Sequence, residues 1–540
     1  MDATLSGETT AQAPKQTTKE YKSPPHALIW FFRKSRDLWK SKCQELQASI
    51  KRLKNRVADV TKSREQWKLK AEQTNNQLTV LEAENASLRA QIATLAEKKN
   101  DQAVQGLTFD SAEQHVPCGQ QYSVDMVQRF VSLVTVCGTS LRCAASVIAL
   151  YGPSARYDET APDWSTGRLW LLRIGLAALL RPKVVAEDWV WMIDHSIQIG
   201  QCKCLVILGI RLSELPVGQP LCHQDMELIA LEPMTNATKE TVDVCLEDAV
   251  SRTGVPRTIV DDHGADLHGG VKMFIDRHPE TDEIYDIKHM AACLLKARLE
   301  KDERWKSFAS QSGLAKSAIQ QTELAFLVPP SQRSKARFMN LHELVKWGRE
   351  TLALIDDPCR LEAAPFKVSM ERVRAKLGWL VEFREPLAEW SQWHEVIEAA
   401  LNFVRCRCLY VGAGVDMAAA LPAVSASTAI ELREELIRFV TVESSKARIG
   451  ERLPGTTEVL ESCFGKLKGL EDGQSKSGFT GLVLSLGAIV SKQTIETIGE
   501  ALERCRVRDV WDWCREKLGG SVQSLRKQAY TKTKCATNPG

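Results

Sequence analysis

The sequence predicts an α/β domain with a mixed sheet that is interrupted by an α-helical insertion and preceded by a coiled coil and a helical domain. Three observations support this fold class. Short apolar runs typical of strands alternate with helical segments between residues 185 and 300, a mostly helical stretch follows, and a heptad spacing precedes both. At 540 residues the chain is long enough for three or more domains.

The heptad spacing runs without a break from Trp39 to Leu95. Leu occupies most d positions and β-branched residues several a positions, which favours a parallel two-stranded coiled coil. Asn85 falls at an a position, where a buried amide selects two strands and fixes their register. We therefore predict a coiled coil over 36–98 that forms a homodimer. A long helix folding back on its own chain is the alternative.

Composition places the protein among soluble proteins with local basic segments. Residues 1–35 are predicted to be disordered, and they contain no apolar segment typical of a signal peptide. No apolar run reaches the ~18 residues that a membrane span needs. The net charge is only +3, but the first hundred residues and the tail around Arg526 and Lys527 are basic, which suits nucleic acid. We expect a cytoplasmic protein with no membrane partner.

The sixteen cysteines are scattered through apolar segments, as expected for reduced and mostly buried thiols. Two Cys-x-Cys pairs occur, but neither is followed by a Cys or His at the spacing of a zinc finger. We therefore expect no cysteine zinc site. The pairs are Cys202/Cys204 and Cys406/Cys408.

After a linker over 99–122, three short helices are predicted at 124–136, 140–151 and 164–180, separated by glycine and proline. This pattern predicts a helix-turn-helix-like DNA-binding domain over 123–184. In such a domain Arg168 and Arg173 would approach DNA. An ordinary three-helix connector is the alternative.

The next segment contains three strand-like runs in succession and then alternates helix and strand. This is the order of a ribonuclease-H-like fold. The predicted strands are 188–194, 203–211, 226–232, 257–261 and 283–285, with helices 239–252, 267–277 and 288–299. We assign the first part of this core to 185–300, a helical insertion to 301–455, the last part of the core to 456–500, and a basic C-terminal helix and tail to 501–540.

Acidic residues mark the ends of two of these strands. Asp194 ends the first strand and Asp262 the fourth, and the fold order makes these strands neighbours. Close carboxylates repel unless a cation neutralises them, so the pair predicts a divalent metal site. Mg²⁺ suits oxygen ligands, and Mn²⁺ would substitute for it. Glu461, on a late helix, could complete the site. Alternatively, each Asp stabilises a turn or caps the N-terminus of a helix.

The string Ile-Val-Asp-Asp-His-Gly-Ala-Asp-Leu at 259–267, with Tyr-Asp-Ile-Lys-His at 285–289, resembles bacterial insertion-sequence transposases of the DDE class. Glu461 and Lys468 are spaced like the glutamate and lysine of that class's third motif. The resemblance covers about 185–300 and 455–490.

The resemblance implies that Asp194, Asp262 and Glu461 are the catalytic, metal-binding triad and that Lys468 contacts DNA near the cleaved phosphate. It favours Asp262 over Asp261, and Glu461 over Glu458 by spacing. One departure is that Thr457 stands where the class usually has Arg.

Other polar residues could support this site. They are Asp261, Asp286, His289 and Glu458. His289 would orient DNA or a carboxylate, or else pack its helix. A basic run in the insertion would hold DNA phosphates, or else form a solvated loop. Its charged members are Arg333, Lys335 and Arg337.

These observations together predict a bacterial, nucleoid-associated DNA transposase. It would bind the terminal inverted repeats of its mobile element and use Mg²⁺ for phosphodiester cleavage and strand transfer into target DNA. One alternative is a coiled-coil, helix-turn-helix regulator that binds DNA and does not cut. A second is a structure-specific nuclease with the same chemistry.

Overall fold

The computed structural model describes residues 24–68, 116–151, 160–331, 341–359, 368–472, 480–518 and 525–531, leaving out 49, 52, 58–60, 63, 67, 118, 200–201, 217 and 358. The chain divides into two compact units, residues 1–112 and 113–540.

The first unit is helical at every described position between residues 25 and 68. Apolar residues at heptad positions along this helix are exposed to solvent, including Leu46 (63%), Leu53 (58%) and Val57 (65%). An apolar stripe of this kind is typical of a helix that packs against another helix.

A mixed five-stranded sheet forms the centre of the second unit. Its strands are β1 (Trp189–Ile199), β2 (Cys202–Arg211), β3 (Glu227–Met234), β4 (Thr258–Asp261) and β5 (Asp282–Tyr285). Their spatial order is β3-β2-β1-β4-β5. The first three strands pair antiparallel, whereas β4 pairs parallel with β1 and β5 parallel with β4. The predicted mixed sheet, with three strands before the alternating part, is confirmed.

Helices surround the sheet. Before it come α1 (Val124–Thr135), α2 (Leu141–Tyr151) and α3 (Trp164–Leu180); α4 (Lys239–Thr253), α5 (Ala265–Arg277) and α6 (Ile287–Leu299) alternate with strands. The insertion contains α7 (Glu303–Ile319), α8 (Leu341–Asp356), α9 (Met370–Leu377), α10 (Arg384–Arg407), α11 (Ala413–Ala420) and α12 (Ser427–Ser444). The chain continues with α13 (Glu458–Asp472), α14 (Ser485–Val490), α15 (Ile495–Arg504) and α16 (Val507–Lys517). Short 3₁₀ turns occur at Leu212–Glu214, His223–Asp225, Ala325–Leu327, Gly378–Phe383 and Gly481–Leu484.

Local sequence explains where several helices begin. A side-chain oxygen at the N-cap accepts a hydrogen bond from a backbone amide of the first turn, which satisfies a donor that has no partner within the helix. These capping residues are Ser123, Asp163, Thr238, Asp286 and Asp302.

The sheet separates two apolar cores. Along β1, Trp191 and Ile193 belong to the smaller core, which α4 and α5 cover, whereas Met192 belongs to the larger core. The same alternation in β4 assigns Ile259 to the smaller core and Val260 to the larger one. Successive side chains of a strand point to opposite faces, so these assignments define the face on which each neighbouring polar residue lies.

The first strand is longer than predicted. β1 continues from Asp194 to Ile199 because its antiparallel pairing with β2 extends that far, with Asp194 opposite Val206 and Ile199 opposite Cys202. The prediction that Asp194 ends the strand was therefore wrong. Asp194 instead lies just beyond the part of β1 that pairs with β4, which stops at Met192.

The third helix does not have the exposure that a DNA-reading helix requires. Eleven of its 17 residues are buried, and it packs against the C-terminal helices. At Gly175 the two backbones approach so closely that an added Cβ would lie 1.8 Å from the carbonyl oxygen of Leu484. This packing does not favour α3 as the recognition helix of the predicted helix-turn-helix-like domain over 123–184, because a recognition helix must be free to enter a groove.

The insertion contains its own aromatic core. Phe308 contacts several other rings at centroid distances of 5.3 to 6.5 Å, and burial of such large side chains stabilises the helical bundle. Its partners are Trp305, Trp347, Trp379, Phe383 and Trp390. Among the described helices, none combines the length and apolar character that crossing a membrane requires.

Candidate active site

Asp194, on β1, and Asp262, directly after β4, lie level with each other on neighbouring chain segments. Met192 pairs with Val260 in the parallel register, so the same two-residue step beyond this pair places Asp194 beside Asp262. Because Met192 and Val260 both face the larger core, the alternation of side chains puts both aspartates on that face. The fold thus brings the two predicted carboxylates together.

The electrostatics of Asp194 reflect this proximity. Burial and then the charge of Asp262 raise the pKa of Asp194 to about 7, with further contributions from the charges of Glu461 and Asp286. One hydrogen bond opposes the shift, from the backbone amide of His195 to Oδ1 of Asp194 at 2.6 Å. Glu461, more than 260 residues away in sequence, therefore lies close enough to act on Asp194.

Glu461 lies in the first turn of α13 with its side chain 41% exposed. Its Oε2 accepts a hydrogen bond from Nζ of Lys288 at 2.6 Å. Burial would lower the pKa of Lys288, but the hydrogen bond and charge of Glu461 outweigh it and raise the pKa. The ammonium group is thus held at the edge of the carboxylate cluster, where it offsets part of the negative charge.

Glu458, one turn earlier, is held in a different way. Arg405 of the insertion donates two hydrogen bonds to its carboxylate, at 2.6 and 2.9 Å, and Lys288 lies 3.4 Å away. Burial would raise the pKa of Glu458, but Arg405 and Lys288 outweigh it and lower the pKa. A carboxylate fixed by a bidentate guanidinium has little free capacity for a metal. This geometry favours Glu461 as the third member of the cluster.

Asp286 has a structural role at the N-terminus of α6. Its carboxylate accepts hydrogen bonds from the amide of Lys288 at 2.7 Å and from the amide and hydroxyl of Thr457 at 3.2 and 2.6 Å. Burial raises the pKa of Asp286 although these hydrogen bonds lower it. Asp286 thereby ties α6 to the start of α13, and Thr457 takes part in this junction.

Asp261 and Asp262 face opposite sides of the sheet. Asp261 is fully buried on the side of the smaller core, beside Glu283 and two histidines, His263 and His268. Burial and then the charge of Glu283 raise the pKa of Asp261. Asp262 Oδ1 accepts a hydrogen bond from the amide of Gly264 at 2.8 Å. Only Asp262 therefore shares a face with Asp194.

Asp266, at the start of α5, belongs to an ion-pair cluster next to Asp194. Its Oδ2 lies 2.5 Å from Nζ of Lys203 and 3.1 Å from Nε2 of His195. Burial would raise the pKa of Asp266, but these partners lower it. The cluster fastens β1 and β2 to α5 beside the carboxylates.

The two arginines predicted to approach DNA face the protein interior instead. Arg173 is 3% exposed, and its guanidinium donates to the backbone carbonyls of Leu502 and Cys505 and to Gln120 Oε1. Arg168 is half-buried, and burial against the C-terminal segment lowers its pKa. These positions do not favour the predicted DNA contacts, most clearly for Arg173, whose guanidinium is enclosed by packed helices.

Lys468 and His289 are exposed on α13 and α6. The basic residues predicted to bind phosphates in the insertion lie outside the described residues; they are Arg333, Lys335 and Arg337.

Sequence reasoning missed Lys288 and Arg405. Lys288 lies in the motif string at 285–289, two residues after Asp286, so its place near the site was accessible from the sequence. Arg405 gave no comparable signal, because its partner Glu458 is 53 residues away and only the fold brings them together.

Residues 45–98 match the family described as basic region leucine zipper. None of the curated proteins matches the chain in sequence. Among solved structures, the chain is similar to the Drosophila P element transposase strand transfer complex, with 11% identity over 76% of this chain and 100% of that chain. The TM-score of this match is 0.34, which is too low to establish a common fold.

Proposed function

We propose that the protein is a DNA transposase of the DDE type with a ribonuclease-H-like catalytic core. The observation that supports this best is that Asp262 and Glu461 lie close enough to Asp194 for their charges to act on it, at one edge of a sheet with the order β3-β2-β1-β4-β5. Asp194 lies on β1, Asp262 directly follows the neighbouring parallel strand β4, and Glu461 lies on a helix that follows the insertion. Carboxylates that meet in this way can hold the divalent ions that catalyse phosphodiester cleavage.

The residues fit a divalent cation of the Mg²⁺ class. The donors are carboxylate oxygens, which Mg²⁺ and Mn²⁺ prefer. Burial and then the charge of Asp262 raise the pKa of Asp194, and a bound cation would offset both effects. When bound, Mg²⁺ supplies Lewis-acid activation of the attacking oxygen and stabilises the leaving oxygen.

The chain's own residues have separate tasks in this proposal. Asp194, Asp262 and Glu461 hold the cation, and Lys288 orients Glu461 through its 2.6 Å hydrogen bond. Lys468 lies seven residues, or about two helical turns, after Glu461, which places it on the same side of α13. Its ammonium group would contact a DNA phosphate near the cleaved bond.

Cleavage of element ends by purified protein tests the proposal. Inverted repeats in the DNA that flanks the coding sequence supply the substrates, which are incubated with Mg²⁺, Mn²⁺ or EDTA. We expect metal-dependent nicking at the end of the element that Asp194→Asn and Asp262→Asn abolish. Asp276→Asn, at an exposed position late in α5, is the matched control and should cleave normally.

Binding without cleavage under any metal would contradict the catalytic part of the proposal. Cleavage that survives Asp262→Asn would contradict the assignment of the site.

We further propose that the N-terminal helix contacts DNA and joins two subunits. Proteins of the family matched by 45–98 are described by a basic region and a leucine zipper. The described part of this helix bears several basic side chains and exposed Leu46 and Leu53. Because α3 is buried, this helix replaces the three-helix segment as the proposed DNA-contacting element.

Light scattering on the full chain tests the dimer. We expect the double substitution Leu46→Glu and Leu53→Glu to yield a monomer, because it places charges in the seam. Ala48→Glu and Asn55→Glu, which fall at outward heptad positions, should leave the dimer intact. A dimer that persists after the Leu substitutions would locate the subunit interface elsewhere.

The second candidate is a DNA-binding regulator that does not cut, and the match to the basic region leucine zipper family favours it. The same assay separates the two functions. A regulator would bind DNA through the N-terminal helix with an affinity that Asp194→Asn and Asp262→Asn leave unchanged, and it would give no product with Mn²⁺.

A further inference from the structure

We propose that the protein has a second metal site, for a Zn²⁺-class ion, made of Asp261, His263, His268 and Glu283. In the described part of the chain this is the one group of His, Cys, Asp and Glu whose ligand atoms converge, all lying within 4.8 Å of one another. The group contains no cysteine. It lies on the opposite face of the sheet from Asp194 and Asp262.

Three adjoining elements bring these side chains together. Asp261 is the last residue of β4, and Glu283 lies on the neighbouring parallel strand β5. His263 belongs to the loop that follows β4, and His268 to the first turns of α5. The loop conformation is unusual, because His263 has φ of +56°.

The distances suit ligands of one ion better than they suit hydrogen bonds. Nε2 of His263 lies 3.7 Å from Oδ1 of Asp261 and 3.5 Å from Oε1 of Glu283. Both separations are too long for hydrogen bonds. Two ligands of a tetrahedral Zn²⁺ with bonds of about 2.0–2.1 Å lie roughly 3.3 Å apart. Among the described side chains of the cluster, the 2.6 Å contact between Nδ1 of His268 and Oε1 of Glu283 is a hydrogen bond as it stands, and the backbone amide of His263 donates to the other carboxylate oxygen of Asp261, Oδ2, at 3.3 Å.

The carboxylate of Asp261 supplies independent evidence. Asp261 is 0% exposed, yet no described residue donates a hydrogen bond to its Oδ1, which points into the cluster. The ammonium group of Lys446 is directed instead to the backbone carbonyl of Glu283 and to Glu443. A buried, unsatisfied carboxylate oxygen is costly unless a cation or a proton neutralises the group.

The donor set indicates the class of ion. Two imidazoles and two carboxylates suit Zn²⁺ and related transition metals, whereas Mg²⁺ prefers oxygen ligands with several waters. The side chains of His263 and His268 are 31% and 32% exposed, so an ion can enter from solvent. When bound, it would anchor the β4–α5 loop that also contains Asp262.

Cobalt binding to the full-length, chelator-treated protein tests the site. We expect one tight equivalent of Co²⁺ with the visible absorption of a four-coordinate ion, displaced by Zn²⁺, and a higher melting temperature with either metal. His268→Gln and Glu283→Gln should each weaken Co²⁺ binding by at least about tenfold. His278→Gln is the matched control, because His278 lies at the end of α5 and pairs with Glu247.

Asp194→Asn separates this site from the proposed catalytic one and should leave the Co²⁺ absorption unchanged. Failure of the wild-type protein to give this absorption would overturn the proposal and leave a proton shared by Asp261 and Glu283 as the account of the cluster. Retention of the absorption in His268→Gln would overturn it as well. The wild-type titration decides even where a variant fails to fold.

Discussion

Two regions of the molecule bury charge in opposite ways. At the sheet edge, Asp194 is half-buried near like charges and receives one backbone hydrogen bond from the described residues. In the C-terminal helical layer, Arg173 is more deeply buried, but three acceptors surround its guanidinium. A buried charge with its partners in place contributes to stability, whereas one without them stores repulsion that a ligand can relieve.

The difference shows how to distinguish a structural charge from a functional one in this chain. The same test separates Glu458, fixed by Arg405, from Glu461, whose one ion-pair partner among the described residues is Lys288. Three substitutions and one pH titration test this distinction.

The largest effect is expected at Glu461. Glu461→Gln should lower the rate of cleavage by about 10³-fold, because metal ligation contributes several kcal/mol to the transition state. Glu458→Gln should cost about tenfold or less, because it removes only a charge bound by Arg405. Single-turnover cleavage of labelled DNA ends measures both rates. A reversed order would assign the third ligand to Glu458.

Next in size is the loss of the buried arginine. Arg173→Met should lower the free energy of unfolding by about 3 kcal/mol, because it leaves the carbonyls of Leu502 and Cys505 unpaired. Arg508→Met, at a side chain that is 87% exposed, should change it by less than about 0.5 kcal/mol. Urea titration measures both variants. A variant that keeps its stability and loses DNA affinity would restore Arg173 as a DNA contact.

A smaller effect is expected where α3 meets the C-terminal segment. Gly175→Ala should destabilise the protein by about 1–3 kcal/mol, because the new methyl would collide with the backbone at Leu484. Gly313→Ala, exposed in α7 with no atom near the added Cβ, should stabilise by about 0.4–1 kcal/mol. Equal melting temperatures for the two variants would contradict the close approach.

A fourth effect, spread over several pH units, is a pH dependence of the stability of the metal-free protein. The pKa of Asp194 is about 7 in the folded state and near 4 in an unfolded chain, so the folded state binds this proton more tightly. Stability should therefore fall as pH rises from about 4 to 7, by up to about 1.4 kcal/mol per pH unit, and then level off. Melting temperatures measured in EDTA from pH 5 to 8.5 test this.

Asp194→Asn should weaken this dependence and leave the part that Asp261 contributes, and Mg²⁺ should stabilise the wild-type protein more at pH 8 than at pH 6. A wild-type curve that rises between pH 5 and 7, with the variant parallel to it, would show that Asp194 is not the group concerned.

From the sequence alone came the positions of the strands, except for the extension of β1 beyond Asp194, and the expectation that the strands leading to Asp194 and Asp262 are neighbours. The sequence could supply these because apolar periodicity and turn residues act over a few positions, and the order of elements restricts the possible sheets. The roles of the three acids as metal ligands remain predictions.

The remaining features depend on contacts that form only when the chain folds. The fold placed Asp261 and Asp262 on opposite faces, bound Glu458 to an arginine of the insertion and enclosed Arg173 among residues more than 320 positions away. The sequence does not show whether an aspartate, a glutamate or an arginine will have hydrogen-bond or ion-pair partners in the folded protein. The partners come from distant segments, so whether a charge is satisfied is fixed only when the chain has folded.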